Sequence, residues 1–289
     1  MIKLTKNEQH KNNLLEQKYV LPKHFDISNR MVTYWKQNAI LPFFKKGKHA
    51  RMNIPQAIWL CLIHELSQVG VPTQQLAQLA QAIWQAPIEE GHFDKKLDWA
   101  INEEKRKGNA TDAKRLEGLH QIKADPRLKL TLAQEHNPMV DAIIDNIMTN
   151  RKPLSFYYFP KSNRFEIKEP LQPLTEHIIA LVNTQTYLCV PLLPFIKAIV
   201  EVEFKLLDKD FSYLSDIENQ IKALIKHRAP KFIDVVVNNE HLKPLVIREQ
   251  HKSAEAFSNF ILNNKFPKTG KIIVEKRTQG NYKLTIITK

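Results

Sequence analysis

Residues 19–42 decide the fold, and they read YVLPKHFDISNRMVTYWKQNAILP. The first seven of them have the apolar spacing of a short helical turn, with Pro22 early in it, where a missing N–H costs little. Residues 26–27 form a tight connection, and Ser28 stands where a helix N-cap is expected. The stretch therefore predicts two short helices joined by a turn, which is a helix-turn-helix.

The second helix of this pair is predicted to be amphipathic. Its apolar face consists of Ile27, Met31, Val32, Trp35 and Ile40. Its other face carries Asn29, Arg30, Thr33, Tyr34 and Lys36. Amide, guanidinium and hydroxyl groups can hydrogen-bond to base edges, so this polar face is a candidate for reading DNA.

The segment after this helix predicts a basic hairpin and then a packing scaffold. Residues 43–51 read FFKKGKHAR, with four fixed cations around a glycine, which is typical of a β-hairpin wing that follows the phosphate backbone. Asn53 is expected to cap the next helix, which ends at Gly70, and Thr73 to cap the one after it. We expect the side chains of both helices to be core, Trp59 and Cys61 included.

Positive charge is concentrated at the start of the chain. The 289 residues include 43 Lys and Arg against 30 Asp and Glu, a net charge of +13. Residues 1–52 alone carry 11 Lys or Arg against 3 acidic residues, a net of +8. Residues 53–90 carry no Lys or Arg. A focused excess of this kind favours a polyanionic partner such as nucleic acid.

Several classes of function are excluded by what the sequence lacks. It has 7 glycines and no phosphate-binding glycine motif, which argues against a nucleotide-driven enzyme. Cys61 and Cys189 lie far apart, so we expect neither a disulfide framework nor a cysteine zinc site, but a reducing, cytoplasmic environment. No apolar run predicts a signal peptide or a membrane span. No catalytic constellation stands out, so we expect no enzymatic activity, no metal and no cofactor.

Residues 19–84, about a quarter of the chain, resemble the winged helix-turn-helix domain of the MerR family of transcription regulators. The family's run is valine, serine, variable positions, an aliphatic residue, an arginine and two aromatics, then a glycine, two leucines and a proline. Residues 27–42 follow it without a gap, the wing arginine falls on Arg51, and a later family glycine falls on Gly70. The chain departs from the family at Thr33, Lys36, Ala39 and Asn53.

The resemblance implies roles for individual residues. Ser28, Asn29, Arg30 and Thr33 would stand at the start of the recognition helix, where the last three reach base edges. Phosphates would be held by Tyr34, Lys36, Lys45, Lys46, Lys48, His49 and Arg51. In the family a long helix follows and pairs with its mate; here residues 91–130 form a charged helical linker with a break at 108–109, so we expect the dimer contact elsewhere.

The remaining sequence, residues 131–289, predicts a mixed region, so the fold class is α+β. A helical stripe begins at Met139, and strands are predicted at 154–159, 177–182, 186–190, 199–204 and 232–237. Helices are predicted at 213–227 and near 253–263, followed by a closing hairpin over 271–287. The predicted domains are thus residues 1–90 for DNA binding, the linker 91–130, and a dimerisation and effector region 131–289 that divides near 226–230.

The order of elements after the helical stripe is similar to that of WYL-domain transcriptional regulators, with residues 186–188 at the position of the naming tripeptide. That resemblance implies a pocket for a small-molecule or nucleotide effector, lined by Tyr157, Arg164, Tyr187 and Lys197.

Together these features predict a bacterial, sequence-specific DNA-binding transcriptional regulator that binds double-stranded DNA as a homodimer on a pseudo-palindrome. Two other classes stay open. One is a mobile-element or plasmid factor that bends DNA or initiates replication. The other is a nucleic-acid-processing enzyme with its acidic residues in the second half of the chain.

Overall fold

A computed structural model describes residues 15, 17–44, 50–107, 110–149, 153–169, 175–202, 204–205, 210–211, 214–228, 232–242, 245–246, 260, 266, 271–278 and 281–287. The chain forms two compact units. The first consists of Met1–Thr149 and Pro153–Leu192, and the second of Asn150–Lys152 and Leu193–Lys289. Both helices and sheets are present, so the predicted α+β class is confirmed.

The first unit is mostly helical. A 3₁₀ turn at Pro22–Phe25 precedes the helices α1 Asn29–Gln37, α2 Ile54–Gln68, α3 Thr73–Ala80, α4 Ala86–Glu89, α5 His92–Lys107, α6 Ala110–Ala124, α7 Pro126–Ala133 and α8 Pro138–Ala142. A π-helical turn, Gln81–Gln85, joins α3 to α4, and another, Ile143–Thr149, continues α8. The unit ends with β1 Ser155–Phe159, β2 Arg164–Lys168, α9 Glu176–Thr184 and β3 Leu188–Pro191.

Helix α1 begins and ends as its sequence dictates. The Ser28 hydroxyl accepts a hydrogen bond from the Met31 N–H at 3.3 Å, which confirms the predicted N-cap. At the other end, the N–H of Ile40 donates to the carbonyl of Trp35 at 2.9 Å, while Ala39 adopts a φ of 56°. This is a Schellman motif with an alanine in the left-handed position that usually holds glycine.

Helix α2 is the buried centre of this region. Asn53 caps it as predicted: its side-chain oxygen accepts from the Gln56 N–H at 3.0 Å, and the Gln56 side chain accepts from the Asn53 N–H at 3.2 Å. Gly70 ends the helix with a φ of 88°. The prediction that Thr73 caps α3 is wrong, because Pro72 is the extended N-cap residue and Thr73 is already helical.

Helices α5 and α6 pair with each other within the chain. Glu104 and Arg115 form an ion pair at 3.4 Å, and Asp98 pairs with Lys123, so the two helices run antiparallel. The predicted break at 108–109 lies outside the described residues, and the helices stop and start on either side of it. The charged helical segment 91–130 therefore pairs with itself within the chain, through α5 and α6.

A three-stranded sheet of order β2-β1-β3, antiparallel throughout, completes the first unit. Phe159 of β1 packs against Ile178 and Leu181 of α9. The predicted strand at 177–182 is therefore wrong, since these residues form α9. Ile178 and Leu181 recur at helical spacing and bury one side of a helix.

The second unit contains α10 Leu193–Glu201, β4 Phe204–Lys205, β5 Asp210–Phe211, α11 Asp216–Arg228, β6 Phe232–Val237, β7 Glu240–His241, β8 Leu245–Val246, β9 Lys271–Lys276 and β10 Tyr282–Ile287. Its main sheet has the order β7-β6-β10-β9, with β8 also pairing with β6. Strands β6 and β10 are parallel, and the closing hairpin β9–β10 is antiparallel as predicted.

Two predictions for the second unit differ from the structure or lie beyond it. The predicted strand at 199–204 is mostly wrong: residues up to Glu201 belong to α10, and only Phe204 lies in a strand. The predicted helix near 253–263 lies outside the described residues except at Phe260. The predicted functional domains 1–90, 91–130 and 131–289 stay a prediction, while compactness divides the chain at Leu192. No helix in the described ranges is both long and apolar enough to cross a lipid bilayer.

Candidate nucleic-acid interface

The interface candidate is built on the solvent side of α1. Asn29, Arg30 and Thr33 are all exposed there. Within the part of the chain that the structure describes, none of these three side chains forms a hydrogen bond or an ion pair. Ser28 is different, since its hydroxyl is used to cap the helix. The helix thus presents an amide, a guanidinium and a hydroxyl whose hydrogen-bonding capacity is directed at solvent.

The opposite side of α1 is fixed by a dense core. Val32 and Trp35 are 4% and 3% exposed, and Ile40 beyond the helix is completely buried. The Trp59 indole N–H donates to the Ile40 carbonyl at 2.9 Å, which ties the end of α1 to α2. Trp35 and Trp59 are therefore core residues, as predicted. A helix held this firmly presents its polar side chains from a rigid support, which suits specific recognition.

Tyr34 links α1 to α3. Its hydroxyl lies 3.1 Å from the Thr73 hydroxyl, and its ring remains 49% exposed. The Thr73 contact was not anticipated from sequence, because 39 residues separate the two side chains. A Tyr34 hydroxyl held by Thr73 has a fixed position and retains capacity for a second hydrogen bond.

Lys36 and Arg51 flank the same region. The Lys36 ammonium lies over the Phe44 ring, 5.4 Å from its centroid, a cation–π contact that orients the charge. Arg51 is exposed, and Met52 next to it pairs with Val20 in an antiparallel bridge. Lys45, Lys46, Lys48 and His49, the predicted wing tip, lie outside the described residues. Of the cations predicted to contact DNA, the structure therefore describes Arg30, Lys36 and Arg51.

Burial shifts the pKa of two groups in this region, His24 and Cys61. His24 accepts a hydrogen bond from the Leu21 N–H at 3.2 Å, and burial, together with the charge of Lys23, lowers the pKa of His24. The pKa of Cys61 is raised to about 12, chiefly by burial and then by Glu65. Cys61 is thus an inert apolar core residue, as expected.

The candidate effector pocket is assembled only in part. Tyr157, on the central strand β1, lies opposite Glu166 of β2 and Cys189 of β3. The Tyr187 ring is 6.3 Å from that of Tyr157, centroid to centroid. Burial raises the pKa of Tyr157, and Cys189, Tyr187 and Glu166 add to the effect.

The face that carries these groups is partly covered by a helix. Arg164 lies opposite Phe159, so it shares a sheet face with Tyr157, and Phe159 is the residue that packs against α9. Three of the four predicted pocket residues are therefore brought to one packed sheet face in the first unit. Lys197 lies on α10, in the second unit.

An ion-pair network that sequence analysis missed centres on Asp141, at the start of α8. His92 and His136 each place a ring nitrogen 3.1 Å from its carboxylate, and Lys96 pairs with it as well. Burial alone would raise the pKa of Asp141, but its hydrogen bonds with His136 and Lys96 and their charges hold it well below the ordinary value. No metal-binding cluster occurs among the described residues. The network joins α5 to α8.

No family model, curated protein or solved structure matches the chain. The resemblances to MerR-family and WYL-domain regulators therefore stay predictions, resting on the residues quoted for each.

Proposed function

We propose that this protein is a sequence-specific DNA-binding transcriptional regulator, with α1 as its recognition helix. The observation that carries the proposal is the exposed row Asn29, Arg30 and Thr33, unpaired within the described ranges, on a helix whose opposite side is buried. Such a helix can lie in the major groove, where an amide pairs with adenine and a guanidinium with guanine.

The electrostatics of the same segment favour this partner. Residues 1–52 carry a net charge of +8. Two exposed cations of this segment, Arg30 in α1 and Arg51 after it, flank the buried residues 40–41 in the sequence. Cations next to a reading helix contact phosphates and fix its register on the duplex. Tyr34, oriented by Thr73, is a further phosphate contact of this kind.

The departures from the MerR pattern alter the expected specificity. Thr33 replaces a family arginine, and a threonine reaches a thymine methyl group or a single acceptor rather than a bidentate pair. Lys36 stands where the family has an acidic residue, and it adds a phosphate contact. We therefore infer that the base sequence of the operator is recognised mainly by Asn29 and Arg30. The protein would bind it as a homodimer, with one half-site for each subunit.

Selection of bound fragments from a random duplex library tests the proposal. At a salt concentration of about 150 mM, phosphate contacts alone hold DNA weakly, and specific sites dominate. The expected result is an enriched inverted repeat. Tight binding without an enriched sequence motif would instead favour a mobile-element or plasmid factor that bends DNA or initiates replication. Cleavage of the duplex in the presence of a divalent metal would favour a nucleic-acid-processing enzyme.

Two substitutions separate base readout from phosphate contact. Arg30→Ala is expected to relax preference at one position per half-site, by about 1–3 kcal/mol. Lys36→Ala is expected to weaken binding to all sequences alike and to reduce the salt slope by about one. Arg127→Ala is the matched control, since it removes an exposed arginine from α7 and leaves α1 intact. If Arg30→Ala and Arg127→Ala bind alike, α1 is not the reading helix.

A further inference from the structure

Strand β9 forms one end of the main sheet in the second unit. Among the described residues it pairs with β10 on one side only. Ile273 and Val274, in the middle of the strand, are 36% and 42% exposed. A terminal strand with exposed β-branched residues offers both backbone hydrogen bonds and apolar contact to another strand.

Two hydrogen bonds show which backbone groups of β9 point toward β10 and which point away from it. The Arg277 N–H donates to the Asn281 carbonyl of the hairpin partner at 2.7 Å, so Arg277 faces β10. Along an antiparallel strand, the backbone N–H and C=O groups of successive residues point alternately toward the partner strand and away from it. The backbone groups of residues 271, 273 and 275 therefore face β10, and those of residues 272, 274 and 276 face outward. The Ile286 carbonyl, opposite residue 272, accepts from Asn238 on the other side at 3.0 Å, in agreement with this phase.

This phase restricts how a second β9 could pair with the first. In an antiparallel β9–β9 pair, a residue whose backbone groups face outward must lie opposite another residue of the same kind. Because such residues occur at every second position, the two-fold axis passes through a residue and not between two residues. Centred on Ile273, the pairing matches residues 271–275 with 275–271 of a second copy. Ile272 then exchanges both backbone hydrogen bonds with Val274 of that copy.

Charge selects the axis at Ile273. There, Lys271 lies opposite Glu275 of the second copy, and the symmetry repeats this pair at the other end. An axis at Val274 would place Lys271 opposite the second copy's Arg277, which is repulsive. An axis at Ile272 would leave Glu275 beyond the paired residues of β9. Opposite charges across a strand pair stabilise it and like charges destabilise it, and non-hydrogen-bonded pairs such as 271–275 bring side chains closest.

The apolar side chains agree with the same axis. Ile273 meets its own copy on one face of the sheet. On the other face Ile272 and Val274 line a groove of about 370 Å³ beneath α11, together with Leu284. Pairing about Ile273 brings the second copy's Ile272 next to the exposed Val274, at the open side of that groove. The contact thus continues an apolar layer that the chain already has.

We propose that β9 is a dimerisation strand, and that two copies of this chain join through antiparallel β9–β9 pairing centred on Ile273. The inference deepens the homodimer of the proposed function by naming its contact. It does not require DNA binding, so the two can fail separately. If both hold, each β9 of the dimer lies between β10 of its own chain and β9 of the other.

Charge exchange at the two ends of the strand tests the pairing in the full-length chain without DNA. Lys271→Glu sets two carboxylates opposite each other at both ends, and Glu275→Lys sets two ammonium groups there. Each is expected to raise the dimer dissociation constant about tenfold or more, measured by sedimentation velocity. The double variant K271E/E275K restores opposite charges and is expected to restore the dissociation constant to within about threefold of the unchanged chain.

Recovery of the dimer in the double variant distinguishes the contact with the second copy from the contacts that Glu275 makes in its own chain. It lies opposite Lys283 and 3.8 Å from Arg277, and Glu275→Lys disturbs both contacts. The double variant keeps that disturbance, so recovery of the dimer can come only from the second copy. Lys276→Glu makes the same change of charge next to the selected pair and is the matched control, expected to leave the dissociation constant unchanged.

Three outcomes would overturn the proposal. The unchanged chain could be monomeric throughout the micromolar range, the single variants could dimerise normally, or the double variant could fail to recover. Circular dichroism melts identify a variant that fails to fold, in which case Ile273→Arg, at the axis, supplies the loss of dimer to be compared with Lys276→Glu. Affinity for a single half-site, measured separately, should be unaltered by Lys271→Glu if the proposed function is right.

Discussion

The exposed face of α1 and the exposed edge of β9 differ in what they leave for a partner. On α1 every backbone group of the helix interior is satisfied, and the free hydrogen-bonding capacity belongs to the side chains of Asn29, Arg30 and Thr33. On β9 the backbone groups of residues 272 and 274 have no partner strand among the described residues, and the side chains of residues 272–274 are apolar. The first surface suits a hydrated polyanion, and the second suits another strand.

The difference teaches that composition alone does not locate an interface. The excess of positive charge points to residues 1–52. Strand β9 has little net charge, with Lys271 and Lys276 against Glu275, and it is identified instead by its place at the end of the sheet order and by the direction of its backbone groups. The two surfaces lie in different compact units. A substitution that disrupts one surface should therefore leave the other intact.

The largest expected effect comes from removing the core beneath α1. Trp59 is completely buried, its ring lies 6.2 Å from that of Trp84, and its N–H holds the Ile40 carbonyl. Trp59→Ala should destabilise the first unit by about 3–5 kcal/mol, through the cavity and the lost hydrogen bond. Hydrogen-exchange mass spectrometry should show faster exchange in peptides of α1–α3, and DNA binding should weaken with it.

The same variant should leave the β9 contact intact. Peptides of β9 and β10 should exchange at the rate of the unchanged chain, and the dimer dissociation constant should stay the same. Faster exchange in both units would show that the chain unfolds as one cooperative body, and the independence of the two surfaces would be wrong.

Asp141 offers a second way to act on the first unit alone. Asp141→Asn leaves the ammonium of Lys96 without its carboxylate and weakens the contacts of His92 and His136. We expect a loss of about 2 kcal/mol near neutral pH, because a largely buried charge partner is removed. Asp98→Asn is the control: its pair with Lys123 is about half exposed, and its loss should cost less than about 1 kcal/mol.

The pH dependence of this effect has a definite sign. The folded-state pKa of Asp141 lies below its unfolded value of about 3.9, so its stabilisation is present above that value and is lost as pH falls through the folded pKa. Denaturant titrations should therefore give a difference between the unchanged chain and Asp141→Asn that is constant near neutrality and shrinks below about pH 4. A difference that grows in acid would contradict the assigned network.

Local signals made most of the first region predictable. Ser28, Asn53 and Gly70 are helix-end residues whose chemistry acts within three or four positions, and all three predictions are confirmed. The strands predicted at 177–182 and 199–204 are wrong because that prediction rests on the usual β preference of Ile and Val. Packing decided otherwise, since the buried residues recur at helical spacing.

The long-range features had no such signal. Tyr34 meets Thr73 only because α1 and α3 come together, and Asp141 gathers His92 and Lys96 across more than 40 positions. The position of β9 at the end of the sheet order depends on the pairing of β10 with β6 on its other side. A sequence pattern predicts which face of a helix or strand is buried, but it does not predict which other element packs beside it.

The Tyr34–Thr73 contact allows the α1 surface to be examined more closely. Thr73→Val and Tyr34→Phe should each cost about 1 kcal/mol of stability, and the double variant should cost less than their sum. If Tyr34 also holds a phosphate, Tyr34→Phe should weaken DNA binding at all sequences, while Thr73→Val should have the smaller effect. Equal losses of affinity would mean that the pair only positions α1.

The smallest expected effect compares two helix ends within one unit. Both α1 and α2 finish in a Schellman motif, with left-handed φ angles of 56° at Ala39 and 88° at Gly70. In the second motif the Val71 N–H donates to the Leu66 carbonyl at 3.0 Å, as Ile40 does to Trp35 in the first. The two positions thus share geometry and differ in having a Cβ.

Exchanging the residues should therefore shift stability in opposite directions. A left-handed alanine costs about 1–2 kcal/mol relative to glycine, partly offset by the larger unfolded-state entropy of glycine. Ala39→Gly should stabilise the first unit by roughly 0.5–1 kcal/mol, and Gly70→Ala should destabilise it by a similar amount. Apart from its own stretch of backbone, no heavy atom of the described residues lies within 4 Å of a Cβ added at Gly70, so backbone strain sets that cost. Because neither change touches Asn29, Arg30 or β9, DNA affinity and the dimer dissociation constant should both stay constant. A shift in DNA affinity would mean that the rigidity of α1, and not only its side chains, determines binding, and a shift in the dimer dissociation constant would contradict the independence of the two surfaces.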